Sequence, residues 1–142
     1  MQERPVYLDL TKIRLPMSAF SSITHRLSGM YVFFITLPLM LYIINQSTSS
    51  KSSYEKLLID ISSISFFSII VFISIAIFWY HILTGIRHLI MDFFHIGESL
   101  NGSHYSSIFT AIFWILSSII LFGYLFLWKV QLYGMPNVIA RF

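Results

Sequence analysis

The chain has 142 residues, 56% of them hydrophobic and 18% aromatic, with only 11% charged, a mean hydropathy of +0.77 and a formal net charge of +3. A soluble domain carries about 25% charged residues, so too few polar side chains remain here to coat a water-facing globule. A soluble enzyme domain, a disordered chain and a nucleic-acid-binding module are excluded on that ground, and the lack of cysteine removes disulfides, iron–sulfur ligation and thiol chemistry from this chain.

The first 21 residues hold Glu3, Arg4, Asp9, Lys12 and Arg14. A cleavable signal would place its apolar core there, so this stretch is expected to lie on the membrane surface ahead of the first helix. Charged residues then bound three long uncharged stretches, 27–50, 61–86 and 99–128. A helix rises 1.5 Å per residue, so roughly 20 residues cross a hydrocarbon core of about 30 Å. The sequence therefore predicts an all-α membrane protein of one domain, 1–142, with three transmembrane helices near 22–45, 62–91 and 105–133. Strands fail, because transmembrane strands must close into a barrel. Pro38 is expected to bend the first helix and Pro136 to close off the third. The connections, 46–56 and 92–104, read as short polar loops.

Lys and Arg placement sets orientation. Arg4, Lys12, Arg14, Arg26 and Arg87 fall on one side, and Lys51, Lys56, Lys129 and Arg141 on the other. The bias favours an N-terminus on the inner side. Three helices make a thin bundle whose remaining faces must meet lipid or a partner chain. An ionisable group facing lipid costs roughly 2.5–3.5 kcal/mol at mid-membrane, so polar residues within the helices are the best guide to function.

The second helix ends with His81, Gly85, Arg87, His88 and Asp92, and His81, Gly85 and His88 share one face at i, i+4 and i+7. With Asp92 at the inner interface, His81 lies about 16 Å deeper and His88 about 6 Å deeper. A neutral imidazole in an apolar interior suits axial ligation of haem iron, and Gly85 would let a flat porphyrin approach the backbone. The spacing leaves a second reading open, a histidine that hydrogen-bonds a neighbouring helix or a carboxylate. Helices 1 and 3 offer no other deep imidazole, so a bis-histidine haem needs its second ligand from another subunit. Helix 1 opens Ser22-Ile23-Thr24-His25-Arg26-Leu27-Ser28-Gly29. Arg26 either snorkels to headgroups or joins His25 and His88 in neutralising haem propionates, with Ser22 placed to donate to a quinone oxygen. Arg87, rotated about 100° from His88, reads as a headgroup contact. His95 and His104 carry no spacing argument.

Arg4-Pro5-Val6-Tyr7-Leu8, Ile13-Arg14-Leu15-Pro16 and the run from Ser22 to Gly29 resemble the cytochrome b subunits of succinate dehydrogenase. So does His81-x-x-x-Gly85-Ile86-Arg87-His88-x-x-x-Asp92, in the expected order and at the expected length. The resemblance implies one of two small anchor subunits that hold a flavoprotein and an iron–sulfur protein on the inner face of a bacterial or mitochondrial inner membrane. Electrons from succinate then reach ubiquinone. It implies that His81 ligates haem b, with the other ligand on the second anchor subunit. It implies further that His25, Arg26 and His88 lie near the propionates, that Ser22 and Arg26 line the ubiquinone site, and that Asp92 lies near it. A quinol:fumarate reductase anchor, a purely structural anchor and a small transporter subunit with a proton path are the competing readings.

Overall fold

A computed structural model describes residues 15–63, 65–97 and 99–133. Residues 1–14 of the expected surface segment, and Pro136, lie outside them. All regular structure among the described residues is helical: α1 (Met17–Tyr31), a π-helical turn (Val32–Thr36), α2 (Leu37–Ser49), α3 (Lys51–Ser62), α4 (Phe66–Phe94) and α5 (Leu100–Tyr133). Three stretches are long and apolar enough to cross a membrane: Met17–Ser49, Phe66–Phe94 and Leu100–Tyr124. The expected three-helix membrane architecture is therefore present.

The boundaries differ from the sequence reading in physically explicable ways. The first span starts at Met17, five residues earlier than expected, with Pro16 at its N-cap. A missing N–H costs nothing at that position, since the first helical donors have no partner anyway. Within the span, Pro38 is accommodated by the π-helical turn before it. Leu37 N–H reaches back to the Val32 carbonyl, five residues away. Proline cannot supply the next i→i−4 bond, and the wider turn absorbs the mismatch.

The expected 46–56 loop is mostly helix. Ser47 and Thr48 hydroxyls donate to the Ile44 carbonyl, and Ser49 to that of Asn45, so the polar run completes α2. Ser50 alone is extended, and its hydroxyl accepts from Ser53 N–H to cap α3. Ser65 and Ser68 form a reciprocal capping box that starts α4 four residues later than expected. His95 (φ 53°) and Gly97 (φ 83°) then turn the chain, and α5 begins at Leu100. A Cβ at Gly102 would meet the Gly97 backbone at 2.9 Å, so glycine is required for this tight approach.

The interior is inverted relative to a soluble protein. Ser21, Ser28, Ser74, Thr84, Arg87 and Ser107 are buried, whereas large side chains such as Phe34 and Ile120 are about 70% exposed. Lipid is as apolar as leucine, so small residues and hydrogen bonds, not hydrophobic exclusion, hold such helices together. Between α1 and α4 these are Thr24–Tyr80, Ser28–His81 and Tyr31–Ser74. Between α4 and α5, the Trp79 indole donates to Ser117, and that of Trp114 to the Ala76 carbonyl.

Candidate functional site

The antiparallel pairing of α1 with α4 brings three imidazoles into one cluster. The His25 ring stacks on His81 with centroids 4.4 Å apart and planes 11° from parallel, and lies 5.2 Å from His88. Two glycines make this possible. A Cβ on Gly29 would come within 3.0 Å of His81 Cε1, and one on Gly85 within 3.5 Å of His25 Nε2. Each helix thus supplies a histidine and the glycine that seats its partner's. Gly85, expected to admit a porphyrin, instead faces the His25 ring.

His81 Nδ1 lies 3.1 Å from Ser28 Oγ, and Ser28 Oγ donates to the His25 carbonyl at 2.7 Å. His81 Nε2 makes no hydrogen bond among the described residues. His25 Nε2 is buried and has no hydrogen-bond partner among the described residues. Thr36 Oγ1 and Ser118 Oγ share that state, and water or a group from outside the described residues can satisfy such an atom.

At the end of the bundle that carries the α4–α5 turn, Arg26 and Asp92 lie within electrostatic reach of His88. Both side chains are exposed, and Ser22, one turn before Arg26, is half-buried without a side-chain hydrogen bond among the described residues. A cleft of about 570 Å³ runs along the other flank of α1, lined by Ser21, Thr24, Ser28, Tyr80, Ser107 and Trp114 among others. Neither Ser22 nor Arg26 lines it. The sequence-predicted residues therefore fall into two sets: the His25, His81 and His88 rings, with His25 against both of the others, and Ser22, Arg26 and Asp92 on a rim at the α4–α5 end of the bundle.

Arg87 departs from the headgroup contact expected of it. It is buried, its Nε donating to Ser106 Oγ and one terminal nitrogen to the Ser103 carbonyl and Ser103 Oγ, at 3.0–3.1 Å. The 100° rotation from His88 points it at α5, where three neutral oxygens satisfy the guanidinium. Ser28 joins the site without having been among the sequence-predicted residues, and Gly29, one turn above His25, gives the close packing that its place in the sequence suggests. Their signal was their place at i+3 and i+4 from His25, on the same face.

Residues 1–130 match the model of the succinate dehydrogenase/fumarate reductase transmembrane subunit family. The chain belongs to that family. It is also 40% identical over 90 residues to the succinate dehydrogenase cytochrome b556 subunit of Coxiella burnetii, an alignment covering 63% of this chain and 71% of that one. This family member is thus a multi-pass transmembrane subunit of a succinate dehydrogenase-type complex. Its kinship and its three apolar spans agree.

The residues present fit a haem. Stacked rings cannot converge their nitrogens on one ion, and among the described residues no group of three or more potential ligands could hold a bare metal. One imidazole with an unengaged Nε2 suits an iron whose other ligands come from a porphyrin and a second subunit.

Proposed function

We propose that this chain is a membrane-anchoring cytochrome b subunit of succinate dehydrogenase, sharing a haem b with a second small anchor subunit and helping to form the site where ubiquinone is reduced. The observation that carries the reading is the His81 imidazole, set on Gly29, hydrogen-bonded through Nδ1 to Ser28, its Nε2 without a hydrogen bond among the described residues. Haem, when bound, supplies one-electron redox capacity beside the quinone site. His81 would hold the haem iron from this chain, and His25, Arg26 and His88 would neutralise the haem propionates.

The chain makes no bond-forming contribution of its own. Reduction of a quinone takes two electrons and two protons, and negative charge develops on the quinone oxygens as electrons arrive. Arg26 and Ser22, one turn apart on α1, offer charge-assisted and hydroxyl donors to one oxygen. Asp92, across the rim, lies near that site. Because Ser22 and Arg26 do not line this chain's own cleft, the site is closed by partner chains: the second anchor subunit and an iron–sulfur subunit, which bears the flavoprotein. The N-terminus and the α4–α5 connection face that soluble part, on the cytoplasmic or matrix side. The name of the Coxiella burnetii relative favours succinate dehydrogenase over fumarate reductase for this chain too.

The test is succinate-to-ubiquinone turnover in the assembled complex. Ser22→Ala and Arg26→Leu are each expected to cut quinone reduction about tenfold or more, as loss of a preorganised donor does. Succinate oxidation by an artificial acceptor at the flavoprotein should be unchanged. Normal quinone kinetics in both variants would contradict the assignment.

A further inference from the structure

The Ser28 hydroxyl has a single proton. The 2.7 Å contact with the His25 carbonyl requires that proton, because a carbonyl oxygen can only accept. The 3.1 Å contact with His81 must then run the other way, from Nδ1–H to Ser28 Oγ. The two bonds form a short directional relay, His81 Nδ1–H to Ser28 Oγ–H to the backbone of α1, and each bond polarises the next. Ser28 is only 6% exposed, so bulk water does not compete for the contact. Gly29, the next residue, holds the ring against α1: a Cβ there would meet His81 Cε1 at 3.0 Å.

A neutral imidazole protonated at Nδ1 carries its lone pair on Nε2, and the hydrogen bond made by one ring nitrogen decides which nitrogen binds a metal. Accepting that proton also makes the ring a stronger electron donor, which favours the oxidised over the reduced metal. We propose that Ser28 is a positioning residue for the haem ligated by His81: its hydroxyl fixes the ligand tautomer and holds down the reduction potential of the iron. This rests on the reading of His81 as the axial ligand.

The experiment is an optical redox titration of the b-type haem in the assembled complex, comparing the unaltered chain, Ser28→Ala, Ser28→Thr and His81→Leu. Ser28→Ala removes the acceptor, and the midpoint is expected to rise. At a fixed ambient potential within the transition, the ratio of reduced to oxidised haem should increase roughly three- to tenfold. A tenfold change in that ratio is about 59 mV for one electron. Ser28→Thr keeps the hydroxyl and should restore the original midpoint. If Ser28→Ala assembles without haem while Ser28→Thr retains it, the hydroxyl is required for ligation and the proposal stands. An unshifted midpoint in Ser28→Ala would overturn it, as would a Ser28→Thr variant that shifts, or loses haem, as much as the alanine form. His81→Leu separates the two levels. A b-type spectrum that survives it removes the ligand reading itself, whereas a spectrum lost there and a midpoint unmoved in Ser28→Ala removes only the role of Ser28.

Discussion

At the scale of single residues, the two glycines in the histidine cluster make different demands. A methyl group on Gly29 would sit 3.0 Å from His81 Cε1, so the ring would have to give by a few tenths of an ångström and carry its nitrogens with it. The space over Gly85 would give a methyl an ordinary contact with His25 Nε2. Gly29→Ala is therefore expected to lower haem content or shift the haem absorption maximum, and Gly85→Ala to leave both close to normal. Haem-to-protein ratios of the two purified variants check this. Equal effects would mean that the seating of His81 on α1 is not what matters. Both glycines were visible in the sequence as members of the His81 and His25 runs. Their pairing was not, because it depends on the register between α1 and α4, set by contacts such as Thr24–Tyr80 and Tyr31–Ser74. Nothing local to either run encodes that register.

At the scale of elements, hydropathy located the three spans, since each uncharged stretch exceeds the membrane thickness. Hydropathy could not see that the serine-rich run after Asn45 would stay helical. Ser47, Thr48 and Ser49 each bond back to a carbonyl three or four residues earlier, and that side-chain chemistry replaces the water a loop would have used. Nor could it place Arg87, whose charge suggested an interface and whose partners lie on another helix. Guanidinium bonds to Ser103 and Ser106 tie the last turns of α4 to the first turns of α5. Arg87→Leu would leave the hydroxyls and the Ser103 carbonyl without that donor. Interhelical bonds in membranes average about 0.6 kcal/mol with a maximum near 1.7 kcal/mol. The expected loss over the network is therefore about 1–3 kcal/mol, read as a lower midpoint in thermal or detergent denaturation of the complex. A midpoint equal to that of the unaltered chain would show the network to be energetically idle. The Lys51–Glu55 pair on α3, 4.0 Å apart and exposed, should by contrast contribute little.

At the scale of the whole molecule, the chain is incomplete as a membrane protein standing alone. Its buried positions are mostly small and polar, while Phe33, Phe34, Ile119, Ile120 and Phe122 face outward. His25 Nε2 lacks a hydrogen-bond partner among the described residues. Both features fit a subunit whose remaining contacts are lipid, another anchor subunit and a shared cofactor. Orientation belongs to this scale as well, and the absence of native cysteine makes it directly testable. Ser52→Cys, on α3, should react with a membrane-impermeant thiol reagent only from the face opposite the soluble subunits. Asn101→Cys, at the start of α5, should react only from the face that carries them, once those subunits are stripped away. The reverse pattern would place the N-terminus outside and detach the His88–Asp92 rim from the dehydrogenase.

The central claim is that haem, dehydrogenase and this chain form one electron-transfer assembly. A succinate-reduced minus air-oxidised optical difference spectrum, taken on the complex purified through a tag on this chain in mild detergent, tests it most directly. Sharp b-type haem bands that develop with succinate, and disappear in the His81→Leu form, are the predicted result. A complex that oxidises succinate yet shows no haem bands, even with a strong chemical reductant, would contradict it and leave His81 as a helix-packing residue.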